Sequence, residues 1–311
     1  MSFVARRLLQ LVPVAVGVTI IVFFMIHLIP GDPARTILGI HATPQAIAEL
    51  HREWGLNRPL VSQYWLFLDR LLHGNLGQSL IYGVPASSLI WSHLPATLWL
   101  IVYATVLAIV ISVPLAMLAA SKRNGVRDQV VRAVPLFGLG MPPFWVGFLL
   151  IDAFAVHWRI FPVSGYGTGI GGHLLYLFLP SLTVAIALAP VVIRSLRASM
   201  LSVLGADYVT TARSKGVPGS RLFIRHVLRN AVIPAITVLG INIGFLIGGT
   251  VIIENVFAIP GVGQLMINSI FQRDFPVVQG VTLVFAVLVV LINLLTDTTY
   301  ALLDPRVRFD R

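Results

Sequence analysis

Six stretches of this chain are apolar and long enough to cross a bilayer as helices: 8–29, 94–120, 133–156, 174–193, 231–253 and 277–303. About 20 helical residues suffice for one crossing. The composition agrees. Of 311 residues, 57% are hydrophobic and only 11% are charged, against roughly 25% charged in an ordinary soluble domain. That supply cannot cover a solvated surface, which excludes a soluble globular enzyme, a disordered chain and a fibre. The expected class is an all-α, polytopic membrane protein of about six transmembrane helices, with 1–311 as one domain.

The first stretch follows Arg6 and Arg7, as a signal sequence would. Its apolar core is too long for that, and Pro30-Gly31-Asp32-Pro33 stands where a small-residue cleavage site belongs. It reads as a retained anchor. The formal net charge of +10 would point to nucleic acid on a soluble protein. In a membrane protein, Lys and Arg instead gather on the cytoplasmic loops. Of the 22 basic residues, 16 fall on the N-terminus, on 121–132, on 194–230 and on the tail; the other 6, Arg35, Arg52, Arg58, Arg70, Arg159 and Arg273, fall on the opposite segments. Both termini are therefore expected in the cytoplasm, a parity that six spans satisfy, and no nucleic-acid partner is expected.

The outer segment 30–93 reads as short helices. Thr43 can cap a helix starting at Pro44, and Gly55 can end it. A second amphipathic stretch over 59–72 carries Tyr64, Trp65, Phe67 and Leu68, suited to the membrane surface or to packing on the bundle. Pro142, Pro143, Pro180 and Pro190 should bend or break helices three and four.

Several chemistries are absent from the sequence. With no Cys there is no disulfide, thiolate metal site or thiol nucleophile. The two lysines, Lys122 and Lys215, each follow Ser, so neither makes a phosphate-binding P-loop. No zinc-protease or serine-hydrolase motif occurs. Gly167, Gly169 and Gly172 match a dinucleotide pattern but lack the acidic residue about 20 positions on, and read as a flexible glycine-rich loop. No metal site and no enzyme activity of the chain's own are expected.

The inner segment 194–230 carries the most information. Asp207 falls near the start of a short helix, where a carboxylate suits the positive dipole end. Arg213 and Lys215 fall in its last turn, where cations are favoured. Gly216 can take the left-handed position after the helix, and Pro218 prevents continuation. A helix of about ten residues is too short to stand alone in water, so it needs a packing partner. A second helix, which Ser220 can cap, presents Arg221, Arg225 and Arg229 as one stripe beside Leu222, Phe223, Val227 and Leu228. The stripe suits lipid phosphates or a cytoplasmic partner.

This loop resembles the EAA motif of ABC importer permeases, whose short coupling helix sits in a groove of the ATPase subunit. The pattern of Glu-Ala-Ala, three residues, Gly and a later Pro falls here on Thr210, Thr211, Ala212, Gly216 and Pro234. The missing Glu and the longer Gly-to-Pro interval are similar to the dipeptide/oligopeptide/nickel branch, whose Tyr-Val-x-Thr-Ala-Arg-x-Lys-Gly loop is matched by Tyr208 to Gly216. The same branch is matched by Arg6-Arg7-Leu8-Leu9, by His27-Leu28-Ile29-Pro30-Gly31-Asp32-Pro33, by 74–79, by 260–265, and by Arg273-Asp274-Phe275-Pro276 with Gln279-Gly280. The likeness is strongest to the first, DppB-type, of that branch's two permease subunits.

The resemblance implies a type I ABC importer permease in the bacterial plasma (inner) membrane, forming half of a path for dipeptides or oligopeptides. It implies as partners a second homologous permease subunit, two cytoplasmic ATPase domains and an external solute-binding protein. ATP and Mg would sit on the ATPases, with no cofactor bound by this chain. Coupling falls to Asp207, Tyr208, Thr211, Ala212, Arg213, Lys215 and Gly216. Ala212 and Gly216, four apart, would let the helix sit close against its partner.

Gly240, Gly244 and Gly248 form a small-residue row that suits close helix packing, within one bundle or against the paired permease. Polar groups at membrane depth usually face a cavity or another helix. Asn242, Glu254, Asn255 and Asn293 are the candidates for the substrate path or for receptor contact, although Glu254 equally reads as a solvated helix end. Asp297 suits a structural partner for a cytoplasmic Arg. A stand-alone secondary transporter or channel is the rival class, but it usually shows internal repeats and a coupling-ion site, and neither is visible in the sequence.

Overall fold

The structure, a computed structural model, describes residues 3–27, 32–55, 57–79, 81–121 and 124–303. Lys122, Arg123, Arg306, Arg308 and Arg311 of the basic set, residues 28–31 of the first motif, and the side chains of Arg6 and Arg7 lie outside the described residues. The described residues fold as helices: α1 (Phe3–His27), α2 (Pro33–Leu38), α3 (Pro44–Trp54), α4 (Leu60–Leu72), α5 (Ala86–Ser121), α6 (Val126–Gly140), α7 (Pro143–Leu150), α8 (Gly169–Tyr176), α9 (Phe178–Leu204), α10 (Asp207–Ser214), α11 (Gly219–Arg221), α12 (Arg229–Val256), α13 (Val262–Phe271) and α14 (Phe275–Leu303). A π-helical turn over Leu222–Leu228 joins α11 and α12 into one run, Gly219–Val256. Among the described residues, four helices are long and apolar enough to cross a membrane: α5, α9, the 219–256 run and α14. Val12–Met25, Pro143–His157 and Val262–Phe271 are shorter apolar helical segments.

Two compact units share the chain that the sequence reads as one domain. The first is built from 1–97 and 260–290, the second from 98–259 and 291–311. In the first unit, Thr43 caps α3 by accepting the Ala46 N–H at 3.2 Å, and Gly55 ends it in the left-handed region. Asp32 caps α2 and accepts from His51 Nε2 at 2.9 Å. That bond, with smaller help from the backbone N–H groups at the cap, holds the Asp32 carboxyl below its ordinary range. The amphipathic α4 packs on α1: Tyr64 meets the Thr19 hydroxyl at 2.8 Å, and Phe67 lies against Phe23. The segments at 74–79, 260–265 and 273–280 converge on one core. Leu76, Ile90, Val262, Leu265, Val277 and Val281 pack together. Ser79 donates its hydroxyl to the buried Asp274 carboxylate, and Val262 N–H donates to Thr97 Oγ1 at 2.8 Å.

In the second unit, α9 is the central helix, packed on α6, α7, α10 and α12. The fourth span therefore differs from the expected 174–193. The chain forms α8 first, and α9 then runs through Arg194 and Arg197 to Leu204. The sequence reading ended the span where charges begin. Arg197, however, is neutralised inside the fold by Asp128, to which its Nε and Nη2 donate at 2.5 and 2.6 Å. Asp128 is fully buried, also accepts the Asn124 N–H at 2.9 Å, and faces Arg132 at 3.7 Å. Pro180 leaves α9 intact, because it falls in the first turn, where its missing N–H costs no helical bond. Pro190 also lies within the continuous helix. The third span does break, at Met141-Pro142, because Pro disfavours the helical region for the residue before it. The glycine run is not loose. Gly167 (φ +68°) lies so near Gly172 that a Cβ would stand 2.8 Å from that carbonyl oxygen. Ser220 does not cap the next helix; Pro218 holds the N-cap position with no side-chain bond.

Two outcomes test this packing. Replacing Arg197 with Met strands a buried carboxylate and should lower stability by about 3 kcal/mol at neutral pH, read by thermal unfolding in detergent. The Arg197 guanidinium holds the Asp128 carboxyl below its ordinary range. Such a lowered group adds stability above its unfolded pKa of about 3.9, and that stability is lost as pH falls through the folded value. In the variant the unpaired buried carboxyl is pushed up instead, so the gap between wild type and variant should be widest at neutral to mildly basic pH, narrow as pH falls through the acid range, and be closed below about pH 4. A methyl on Gly240 would overlap the Thr296 side chain. Gly240→Ala should cost roughly 1–3 kcal/mol, with Thr296→Gly recovering part of it.

Candidate functional site

The inner connection folds much as its residues dictate. Gly205 ends α9, and Ala206 holds an extended conformation at the N-cap of α10. Asp207 occupies the first helical position and Arg213 the last turn, so both charges complement the helix dipole. Inside the helix Thr211 Oγ1 donates to the Asp207 carbonyl at 2.9 Å. The C-terminus is a full Schellman motif. Gly216 has φ +76° and donates to the Arg213 carbonyl at 3.0 Å; Val217 donates to the Ala212 carbonyl at 3.2 Å. Eight residues of helix result, two fewer than expected.

What holds so short a helix is its inner side. Val209 is fully buried in a core with Ile193, Leu196, Met200, Leu222 and Val227. Burial of one Val contributes about 1.5–3 kcal/mol. Ala212 and Val217 pack against the same core, which completes the apolar contact that goes with this helix ending. Ala212 thus lies on the face turned to the chain's own bundle, while Gly216, four residues on, is exposed. Tyr208 is 46% exposed, yet its hydroxyl accepts from Asn230 Nδ2 at 3.1 Å, bracing α10 against the following helix. Asp207, Thr210, Thr211, Arg213, Ser214, Lys215 and Gly216 are exposed, so α10 presents a continuous polar surface. Arg221, Arg225 and Arg229 are all exposed beside it, across the π-helical turn.

The other candidates scatter. Asn242 and Asn255 are half-buried, and each donates its amide to a carbonyl one turn back, Val238 at 2.7 Å and Val251 at 2.8 Å. Glu254 is fully buried, so the solvated reading of it fails. It lies in the last turn of α12, where its carbonyl accepts the Ile259 N–H at 2.8 Å. Asn293 is exposed and Asp297 half-buried on α14. The glycine row splits: Gly240 is buried against Thr296, whereas a Cβ on Gly248 would meet open space. No group of three or more His, Asp or Glu placed to hold a metal occurs among the described residues. Sequence reasoning missed the Asp128–Arg197 pair: Arg197 was counted only by side of the membrane, and Asp128 was not considered. The available signal was a lone acid in an otherwise basic inner segment.

Comparison with known proteins gives this geometry its family. Residues 112–309 match the family described as binding-protein-dependent transport system inner membrane component, and residues 1–85 match that described as its N-terminal membrane component. Proteins described as glutathione transport system permease protein GsiC, from Pectobacterium atrosepticum and Escherichia coli, are 38% identical over 309 residues, covering 99% of this chain and 99% of theirs. Two inward-facing structures of the MetNI methionine ABC transporter cover 70% of this chain and 96% of their own, with TM-scores of 0.59 at 16% and 19% identity. The fold is the type I ABC importer permease fold that the sequence resemblance implied. The rival reading, a stand-alone secondary transporter or channel, is not the family these matches give. The chain therefore belongs to the inner-membrane components of binding-protein-dependent transport systems: it is a multi-pass permease subunit of an importer and carries no ATPase of its own.

Proposed function

We propose that the chain forms half of a translocation path for short peptides, glutathione among them, and that α10 is the element through which cytoplasmic ATPase domains move it. The observation that carries this reading is the two-sided build of α10. Its inner side is locked by Val209 onto α9 and the 219–256 run, and its outer side offers exposed polar residues with no apolar anchor of their own. A helix so seated transmits displacement to the spans behind it. A partner that grips Asp207, Thr211, Arg213 and Lys215 then moves α9 and α12 as a body. Ala212 serves by seating the helix, and Gly216 by ending it.

In this scheme a second permease completes the path, with ATP and Mg held by the ATPases. A solute-binding protein outside delivers cargo and selects it. The two termini lie in the cytoplasm. Glutathione is the cargo that the relatives' descriptions print, and a tripeptide falls within the peptide class. Asn242, Asn255 and Asn293 are the polar side chains offered to the path, with Glu254 shaping the end of α12. Gly248, open on the surface of α12, is offered to the paired permease.

Thr211→Trp places bulk on the exposed side of α10 without touching its seat or the left-handed Gly216 position. Uptake and cargo-stimulated ATP hydrolysis in the assembled complex should fall about tenfold, the worth of one interface contact, while the chain's own melting temperature stays unchanged. Undiminished coupling would overturn the assignment. Radiolabelled glutathione and Ala-Ala should enter cells only when this chain is present; uptake of neither would remove the peptide reading. Gly248→Leu should leave the isolated chain's stability unaltered and weaken co-purification of the second permease.

A further inference from the structure

Helix α4 has two apolar faces, and packing on α1 uses one of them. On that side Gln63 is buried and its Oε1 faces His27 Nε2 at 2.9 Å. Tyr64 meets the Thr19 hydroxyl, and the Tyr64 and Phe67 rings lie against Phe23. The other face is a stripe of Val61, Trp65, Leu68 and Leu72, spaced four, three and four residues apart. That spacing keeps all four on one side of a helix. Val61, Trp65 and Leu72 are 69%, 65% and 85% exposed, and Leu68 is half-buried. The helix carries two charged residues, Asp69 and Arg70, both in its last turn. The Asp69 carboxylate stands 3.7 Å from His73 Nδ1, just past the helix end.

The contacts to α1 fix the level of this stripe. Thr19 and Phe23 belong to the apolar segment Val12–Met25, and His27 lies just past its end. At 1.5 Å per residue, Thr19 and His27 are about 12 Å apart along α1. Because α4 reaches both, it sits where the apolar segment gives way to polar sequence. Ile20, Ile21 and Phe24 of α1 are exposed beside the buried Val22 and Phe23. The stripe on α4 therefore adjoins the outward apolar surface of a segment at membrane depth. Three occupants compete for it. Water is a poor one, because a contiguous apolar patch is costly to hydrate. A facing protein helix inside a membrane closes on small residues, and the stripe offers Val, Trp and two Leu. Lipid fits best: Trp favours the level where bilayer meets water, and a helix lying there buries an apolar face among the acyl chains.

We propose that α4 is an interfacial helix clamped between protein and lipid, with Val61, Trp65, Leu68 and Leu72 lying among the acyl chains of the leaflet at the C-terminal end of α1. The chain has no Cys, so single-cysteine variants carry one spin label each without further engineering of this subunit. Val61→Cys, Trp65→Cys and Leu72→Cys would be labelled in the full-length chain, assembled with cysteine-free partner subunits in nanodiscs of phosphatidylethanolamine and phosphatidylglycerol. Asn57→Cys, at an exposed position before the helix, gives the aqueous reference. Power-saturation spectroscopy then compares collisions with oxygen, which concentrates in lipid, and with a water-soluble nickel chelate. The three stripe positions should be open to oxygen and closed to nickel, and Asn57→Cys should be open to nickel. Val61 and Leu72 are exposed enough that their variants keep the fold even where Trp65→Cys, which loses the ring beside Tyr64, does not. Nickel access at Val61→Cys and Leu72→Cys equal to that at Asn57→Cys would make the stripe a water-facing surface. Protection from both reagents in the assembled complex would make it a protein interface. Either result would overturn the proposal.

Discussion

A backbone N–H inside hydrocarbon has no water to turn to, and this constraint arranges the rest of the molecule. Helices satisfy it within each segment, and where the chain leaves a helix it does so at a Pro, a Gly or a capped end: Met141-Pro142, Gly205-Ala206, Gly216 to Pro218, Phe257 to Gly261. At 1.5 Å per residue, α5 is about 54 Å long against a hydrocarbon core of about 30 Å. Its ends therefore project well into the aqueous zones on either side. The same holds for the 219–256 run. Long spans that overshoot the membrane provide rigid surfaces on which short elements such as α10 can be seated.

That seating is what makes a nearly structureless length of sequence mechanically useful. Eight residues of helix cannot persist unaided, and α10 persists because Val209, Ala212 and Val217 lie in the core of α9 and the run that follows. The Schellman ending satisfies the carbonyls of Ala212 and Arg213 within the chain, so the apolar seat needs no contribution from the exposed side chains of Thr210, Ser214 and Lys215. Those remain available for a partner. Close by in the sequence of the same unit, Asp128 and Arg197 tie the start of α6 to α9. The helix that carries α10 on its end is thus held by apolar burial along its length and by one charge pair near its inner end.

The sequence made the class, most spans, and the punctuation of the short helices legible, because each of these is local. Thr43, Gly55 and Gly216 act through their own backbones and neighbours within a turn, and all three do what their types dictate. What escaped is what depends on distant partners. The fourth span was expected to stop at Ile193, before Arg194 and Arg197, because the acid that pairs with Arg197 lies 69 positions away. Glu254 read equally as a path residue and as a solvated helix end, because nothing local says that it is buried within the unit. Ser220 looked like a cap because the competing Pro218 was read as a stop for one helix and not as the start of the next. Family resemblance found the segments at 74–79 and 273–280 without their reason. The structure adds that reason, a shared core closed by the Ser79 hydroxyl on Asp274.

The glycine row on α12 shows the limit of spacing as a signal. A residue every fourth position without a side chain reports that something approaches the helix closely, but not what. Gly240 is filled from within, by Thr296 of α14, and Gly248 faces open space eight residues on. One periodicity therefore serves two different neighbours: a helix of the same chain at one end and an unfilled surface at the other. At Gly240, α12 is fixed by packing against α14 of the same chain. The surface at Gly248, beside a Phe245 that is 79% exposed, combines a recess with an aromatic knob. Lipid tails fill such relief poorly, whereas a facing helix fills it by van der Waals contact, which is the force that drives association inside membranes.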